Sequence, residues 1–427
     1  MPRLLCIKLI WLIAERSSTI RGEFLPELLK SGHPLNPFKG GAQTEEQVCV
    51  PLSGIPSSLS GNQLFSQFAS LAATVGNDYS STSESGHLPY MLRTLDIGVV
   101  SMCLKTIGIG SSFLVSAFLD HTFFPGTNRL VLKRRIPLTK CDHTEDKRII
   151  ASMMLELRVL THTPVRKHEN IVQLLGVGWE TDALELQPRT GAALSESLRK
   201  WPVMLIERAD KGTLAGFLRE TATELPYRLK KTLCLDILLG LEVLHYCGII
   251  HGDVKLTNVL MFSNPNAETR EIRPYIAKLA DFGGAVCDLK SPARLPSGTR
   301  PWNAPEWQQN IRPEDAPNSD IYSLGFAILQ VMVDGRNPFR DFHFDEVRTE
   351  THLKEGSAPN SFEDDIDLWK KDDLKLLPYL KSLLSLKADI NKTELALILD
   401  ATIRVNPRER NLEGPKALLL AEEAQFR

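Results

Sequence analysis

Between Ile249 and Phe262 the chain reads IIHGDVKLTNVLMF. Two apolar, β-like runs enclose a short polar stretch in which His251, Asp253, Lys255 and Asn258 follow one another closely. A polar cluster held between two strands is what a catalytic loop requires. One carboxylate accepts a hydroxyl proton, one cation faces a phosphate, and one amide helps to hold a metal ion. An H-x-D pair arises easily by chance, so its weight depends on what else the chain carries in order.

Four further stretches follow it. LADFGGAV (Leu279 to Val286) comes after the β-like YIAKLA and presents Asp281. SGTRPWNAPEW (Ser297 to Trp307) contains Thr299 and Glu306. Asp320 opens the helical run SDIYSLGF, and Arg410 lies in NPRERN. Upstream, IGIGSSFLV (Ile107 to Val115) carries the pair Gly108 and Gly110, whose missing Cβ atoms let backbone N–H groups approach phosphates. Lys133 ends LVLK after three apolar residues, which argues for an inward strand position; Lys105, Arg134 and Arg135 are rivals that do not sit in that frame.

The texture of the chain changes along its length. Residues 17–90 are rich in Gly, Ser, Pro and Thr and read as a mostly irregular extension. From about Thr94 short β-like runs appear, IGVVSMCL, SSFLVSAFL and RLVLKRRI, with a turn signal at Pro125, Gly126 and Asn128. EDKRIIASMMLELRVL then places Ile149, Ile150, Met153, Met154, Leu157 and Leu160 at helical spacing. IVQLLGVGW and PVMLIERA read as strands on either side of a polar insertion, and from Leu214 the pattern is mainly helical. The expected class is α+β, a β-rich piece with one main helix followed by a helix-rich piece. The stretch from Thr351 to Asp373, with EDDIDLWKKDD, reads as a solvated surface insertion.

Composition narrows the classes. Hydrophobic residues are 43% and charged residues 24% of 427, ordinary globular values. Lys and Arg number 50 against 52 Asp and Glu, without the basic excess of a nucleic-acid binder. Seven scattered cysteines, odd in number and without a C-x-x-C pair, argue against a disulfide framework or zinc site and for a reducing, intracellular setting. LLCIKLIWLIA near the start is shorter than the roughly 20 apolar residues of a membrane span, so a membrane role is not expected.

Taken in order, these motifs resemble the eukaryotic protein kinase superfamily, in its Ser/Thr form. The resemblance implies a two-lobed fold, with a small lobe over 94–206, a helical lobe over 207–425 and an extension over 1–90. It implies ATP and Mg²⁺ as cofactors and a protein bearing Ser or Thr hydroxyls as substrate. Asp253 is then the catalytic base, Lys255 the γ-phosphate contact, and Asn258 and Asp281 the metal ligands. Lys133 pairs with Glu156, which precedes HENIVQLLG as the family's helix Glu precedes its own H-x-N-I-V. Ile107, Gly108 and Gly110 belong to the Gly-rich loop, while Val115 and Val131 line the nucleotide site. Ile206 guards the deep pocket, Glu207 and Ala209 offer backbone groups to adenine, and Asp210 reaches the ribose. Thr299 contacts the catalytic Asp and Lys, Asp320 braces the loop, and Arg410 pairs with Glu306.

Two departures stand out. Gly252 replaces the usual loop Arg, which elsewhere receives an activation-segment phosphate, and this implies independence from that phosphorylation. Phe113 replaces the third glycine and is expected to stiffen the loop and weaken ATP binding. These departures keep open an inactive, pseudokinase-like scaffold. The H-G-D triplet also keeps open a small-molecule phosphotransferase, although Lys255 and Ala304-Pro305-Glu306 speak against it.

Overall fold

The computed structural model describes residue 67 and residues 104–421, except 111, 120–128, 137–142, 182–199, 222–223, 266–272, 297, 341–361 and 386. The expected extension over 1–90 (residue 67 apart), the turn at 125–128 and most of the polar insertion after Glu180 lie outside the described residues.

The first part of the chain forms β1 (Leu104–Ile109), β2 (Phe113–Phe118), β3 (Leu130–Arg135), α1 (His143–Thr161), α2 (Thr163–Arg166), β4 (Leu174–Thr181) and β5 (Lys200–Glu207). The five strands make one antiparallel sheet in the order β1-β2-β3-β5-β4. Alternation along β3 decides which face each residue serves. Leu130 and Leu132 join Phe118, Val203 and Leu205 in a cluster on one face. Val131 belongs instead to the main core, opposite Ile206, and Lys133 shares its face, opposite Val115 and Met204. α1 buries Ile149, Ile150, Met153, Met154, Leu157 and Leu160 against this second face.

The first strand begins at Leu104 and runs through the glycine pair's start, so Ile107 and Gly108 are strand residues. The register shifts between Thr106 and Gly108, leaving Ile107 as a bulged residue, 50% exposed.

The second part contains α3 (Leu214–Glu220), α4 (Tyr227–Tyr246), β6 (Ile249–Ile250), β7 (Val259–Ser263), β8 (Tyr275–Leu279), β9 (Val286–Cys287), α5 (Asn318–Met332), α6 (Phe362–Trp369), α7 (Asp373–Leu384), α8 (Lys392–Thr402) and α9 (Glu413–Leu420). Two small hairpin-like pairs, β6 with β9 and β7 with β8, carry the polar loop and the segment after it. α5 is buried on every side from Ser319 to Met332, as expected of a helix that is apolar all round. Gly325 lets it approach Thr402 and Ile403 without a Cβ in the way. The result is a two-lobed α+β fold, a five-stranded sheet with its helix on one side and a helical body on the other.

The stretch from Thr351 to Asp373 departs from the surface insertion expected of it, although 351–361 lies outside the described residues. α6 buries Ile366 and Asp365, and Lys370 just beyond it has no exposed side-chain surface. Lys370 is tolerated inside because it is paired: its Nζ donates to Asp367 at 3.0 Å and to Asn303 Oδ1 at 3.1 Å.

Glu306 and Arg410, 104 residues apart, meet in a buried fork: Nη1 donates to Oε1 at 2.6 Å and Nη2 to Oε2 at 2.9 Å. Arg410 also donates to the carbonyls of Asn318, Arg404 and Val405, so every side of the guanidinium is used. Arg410→Met leaves the Glu306 carboxylate buried alone. It should cost about 3–5 kcal/mol in urea unfolding, and Arg410→Lys should recover only part of that loss because it cannot rebuild the fork.

Candidate active site

The polar loop is hung from the middle of the helical body. Asp320, in the first turn of α5, accepts the backbone N–H of His251 and of Gly252, each at 2.8 Å, and its Oδ2 lies 3.0 Å from His245 Nε2. Gly252 has φ +77°, a left-handed turn that costs glycine little. His251 is buried, with Nε2 3.2 Å from the Ala280 carbonyl and Nδ1 accepting Asp253 N–H at 3.3 Å. The loop thus has its direction set from both ends before any catalytic side chain is counted.

Asp253, Lys255 and Thr299 form a closed triangle. Lys255 Nζ donates to Asp253 Oδ2 at 2.7 Å and to Thr299 Oγ1 at 2.6 Å. Thr299 Oγ1 donates in turn to Asp253 Oδ1 at 2.7 Å. Asn258 Nδ2 donates to the Asp253 backbone carbonyl at 2.9 Å and to its Oδ2 at 3.0 Å. With its amide nitrogen so used, Asn258 keeps its carbonyl oxygen as an acceptor. The Asn258 backbone carbonyl accepts Ala280 N–H at 2.9 Å, which ties this loop to the residue before Asp281.

The second cluster centres on Lys133. Its Nζ donates to Glu156 Oε2 on α1 at 2.6 Å and to Asp281 Oδ1 at 2.7 Å. Burial disfavours the ammonium, yet Glu156 and Asp281 together outweigh it and raise the Lys133 pKa above its ordinary value. Asp281, whose side chain is 53% exposed, is held below the usual carboxylate range by Lys133, against burial, with His251 and Lys255 adding to the pull. One cation cannot fully serve two anions. The deficit falls on Glu156, 1% exposed, whose carboxyl burial pushes up despite Lys133 and a hydrogen bond from the Phe282 backbone. Asp281 takes φ +67°, while Phe282 is fully buried with its ring 5.1 Å from that of His251.

Of the three rival cations near Lys133, Lys105 is exposed, Arg134 pairs with Glu180, and Arg135 lies 3.6 Å above the Trp201 ring. Val115 and Val131 lie on the Lys133 face of the sheet, packed with the main core beside Ile206. Gly108 and Gly110 lie at the β1–β2 turn, where Gly110 N–H donates to the Phe113 carbonyl at 2.8 Å. At the other end of the sheet, the Glu207 carboxylate takes Lys278 Nζ at 2.8 and 3.0 Å and Gln173 N–H at 2.8 Å. Ala209 and Asp210 follow in the turn before α3. Both Asp210 oxygens are engaged by Ser263, from N–H at 2.8 Å and from Oγ at 2.6 Å, so a ribose would have to share that carboxylate.

Several positioning residues escaped the sequence. Ser152 Oγ donates to the Gly283 carbonyl at 3.0 Å, and Asp236 accepts Ala277 N–H at 2.9 Å behind the β7–β8 pair. Helical spacing could have flagged Ser152, since it stands one turn before Glu156. Nothing in the sequence marked Asp236, because its partners come from distant strands.

Asn258 and Asp281 supply oxygen donors of the hard kind that suits Mg²⁺, an ion that takes one or two protein ligands and completes its shell with water and phosphate. Among the described residues no cluster of three or more His, Cys, Asp or Glu is set to hold a metal by itself. No helix among them is long and apolar enough to cross a membrane.

The family model described as Protein kinase domain matches residues 103–411, more than half of the chain. The serine/threonine-protein kinase cst-1 of Caenorhabditis briggsae is 32% identical over 145 residues, 34% of this chain and 26% of the relative. A probable serine/threonine-protein kinase of Dictyostelium discoideum is 26% identical over 216 residues, 49% of this chain and 44% of the relative. Mitogen-activated protein kinase kinase kinase 1a of Physcomitrium patens is 31% identical over 196 residues, 45% of this chain and 21% of the relative. The chain spans less than half the length of each of these relatives.

Lys133→Met strands the Glu156 carboxylate in the interior and should lower stability at pH 7 by about 3 kcal/mol. A carboxyl whose folded pKa is raised costs stability as pH rises through the acidic range and regains it as pH falls. The gap to wild type in urea unfolding should therefore narrow toward pH 5, and Lys133→Met combined with Glu156→Met should recover most of it.

Proposed function

The chain belongs to the protein kinase family, and from that premise we propose that it transfers the γ-phosphoryl group of ATP to Ser or Thr hydroxyls of protein substrates. The observation that carries this is the closed triangle of Asp253, Lys255 and Thr299 beside Asn258. Asp253 accepts the proton of the attacking hydroxyl as its oxygen bonds to the γ-phosphorus and the bond to the β,γ-bridging oxygen breaks, releasing ADP. Lys255 sits where it neutralises charge on the transferring group, and its bond to Thr299 keeps it at the base. Lys133, steadied by Glu156, meets the α- and β-phosphates. Asn258 and Asp281 would hold Mg²⁺, which supplies charge neutralisation on the phosphates when bound. Backbone groups of Glu207 and Ala209 would meet adenine between Val115, Val131 and Ile206.

Lys255 and Thr299 together favour Ser and Thr over Tyr as acceptors, and the Caenorhabditis briggsae and Dictyostelium discoideum relatives are named as serine/threonine-protein kinases. The segment that bears Thr299 is fastened without a loop Arg. Arg300 pairs with Asp364 and Asp367 of α6, each at 3.0 Å, and Lys370 with Asn303. These intramolecular cations support independence from phosphorylation of the segment.

Purified protein with ATP, Mg²⁺ and a generic protein substrate should incorporate phosphate into Ser and Thr. Asp253→Asn should reduce the rate by about 10²–10⁴, and Asp281→Ala by at least as much. Equal signal from wild type and both variants would favour the scaffold reading instead. Ser291→Ala should leave the rate unchanged, while Arg300→Ala should lower it about tenfold or more by loosening the segment. A large loss in Ser291→Ala that Ser291→Asp restores would count against the proposed independence.

A further inference from the structure

An ammonium has three N–H bonds. On Lys133 two are taken by Glu156 and Asp281. The Phe113 ring takes another side, with its centroid 4.9 Å from Nζ. The ring reaches there because Phe113 stands two residues before Val115 on β2, and alternation puts both on the inner face of the sheet. Val115 is opposite Lys133 and Phe113 opposite Arg135, one step further toward the turn. That is where a polyphosphate chain would run from an adenine held deeper in the cleft. Phe113 is half-buried and packs against the main core, so the ring has a definite seat.

The turn that carries it is also tied down. Ser112 is buried, its carbonyl accepts Ile136 N–H at 3.0 Å, and its Oγ accepts from Arg148 Nη2 on α1 at 2.8 Å. Arg148 is itself forked onto Glu145 at 2.7 and 2.8 Å. Together with the Gly110 to Phe113 bond, these contacts fix the described residues on either side of the ring.

We propose that Phe113 is a phosphate gate: its ring caps Lys133 and must swing aside to admit the polyphosphate chain. The inference rests on the kinase reading of this cleft and adds a selectivity to it. Ligands that stop at the sugar leave the ring in place, whereas di- and triphosphates must displace it. Apparent affinity for those ligands falls by the fraction of molecules whose ring is out. With about a tenth of molecules open, removal of the ring tightens triphosphate binding about tenfold and leaves adenosine binding unchanged.

Isothermal titration of the full chain with adenosine, and with Mg²⁺ and a non-hydrolysable ATP analogue, tests this in wild type, Phe113→Gly and Phe113→Leu. The expected result is an analogue affinity about tenfold tighter in Phe113→Gly, a smaller gain in Phe113→Leu, and adenosine affinity within about twofold in all three. Should Phe113→Gly fail to fold, the Phe113→Leu shift alone must still favour the analogue over adenosine. Equal shifts for both ligands, or weaker analogue binding in a folded variant, would overturn the gate while leaving the nucleotide site intact. Failure of wild type and variants alike to bind either ligand would overturn the kinase reading, and the gate with it.

Discussion

One ammonium group holds the two lobes' chemistry together. Lys133 comes from the sheet, Glu156 from the helix on that sheet, and Asp281 from the segment after β8. No backbone ladder joins these three elements at that point, so their relative placement depends on a charge that every partner needs. The arrangement is costly in isolation: two carboxylates share one cation in a largely dry setting, and desolvation works against each of them. It persists because the cost is spread. Glu156 gains a backbone N–H from Phe282, Asp281 remains half open to water, and Ser152 fastens the Gly283 carbonyl beside them. The excess negative charge that remains is what a divalent cation on the open side of Asp281 would relieve.

The second half of the site is positioned by a different principle. Asp320 sits at the start of a helix buried on all sides, so its carboxylate is as fixed as the core itself. It grips two consecutive N–H groups of the loop and forces the turn that Gly252 takes at positive φ. Any residue with a Cβ at 252 would carry the strain of that backbone conformation. Glycine removes the strain. The segment that bears Thr299 is tied instead through Arg300, which pairs with Asp364 and Asp367 of α6, and through Asn303, which accepts from Lys370.

Much of this was legible in the sequence because local pattern and chemistry agreed. The three apolar residues of LVLK put Lys133 inward, and the resemblance to the kinase family implied the Arg410–Glu306 fork and the Asp320 brace. α6 was not legible. EDDIDLWKKDD has the composition of a solvated face, and only its tertiary bond to Asn303 explains why Lys370 is inside. Phe113 was legible only as a residue that stiffens the loop; nothing local said that the ring would meet the ammonium. The Arg148–Ser112 tie spans 36 residues and exists only once α1 has docked.

That docking has a consequence for how the site moves. Glu145, Arg148, Ser152 and Glu156 are spaced by three, four and four residues, which places them along one face of α1. From its first turn onward this stripe holds the β1–β2 turn through Arg148, the Gly283 carbonyl through Ser152, and Lys133 through Glu156. A rigid helix cannot release one of these without disturbing the others. A rotation of α1 that withdrew Glu156 from Lys133 would also pull Arg148 away from Ser112, freeing the turn that carries Phe113. The Arg148–Ser112 tie and the Lys133–Glu156 ion pair therefore depend on a single helix position. The apolar face that holds α1 in that position runs beside the stripe, through Ile149, Met153 and Leu157, and is buried in the core.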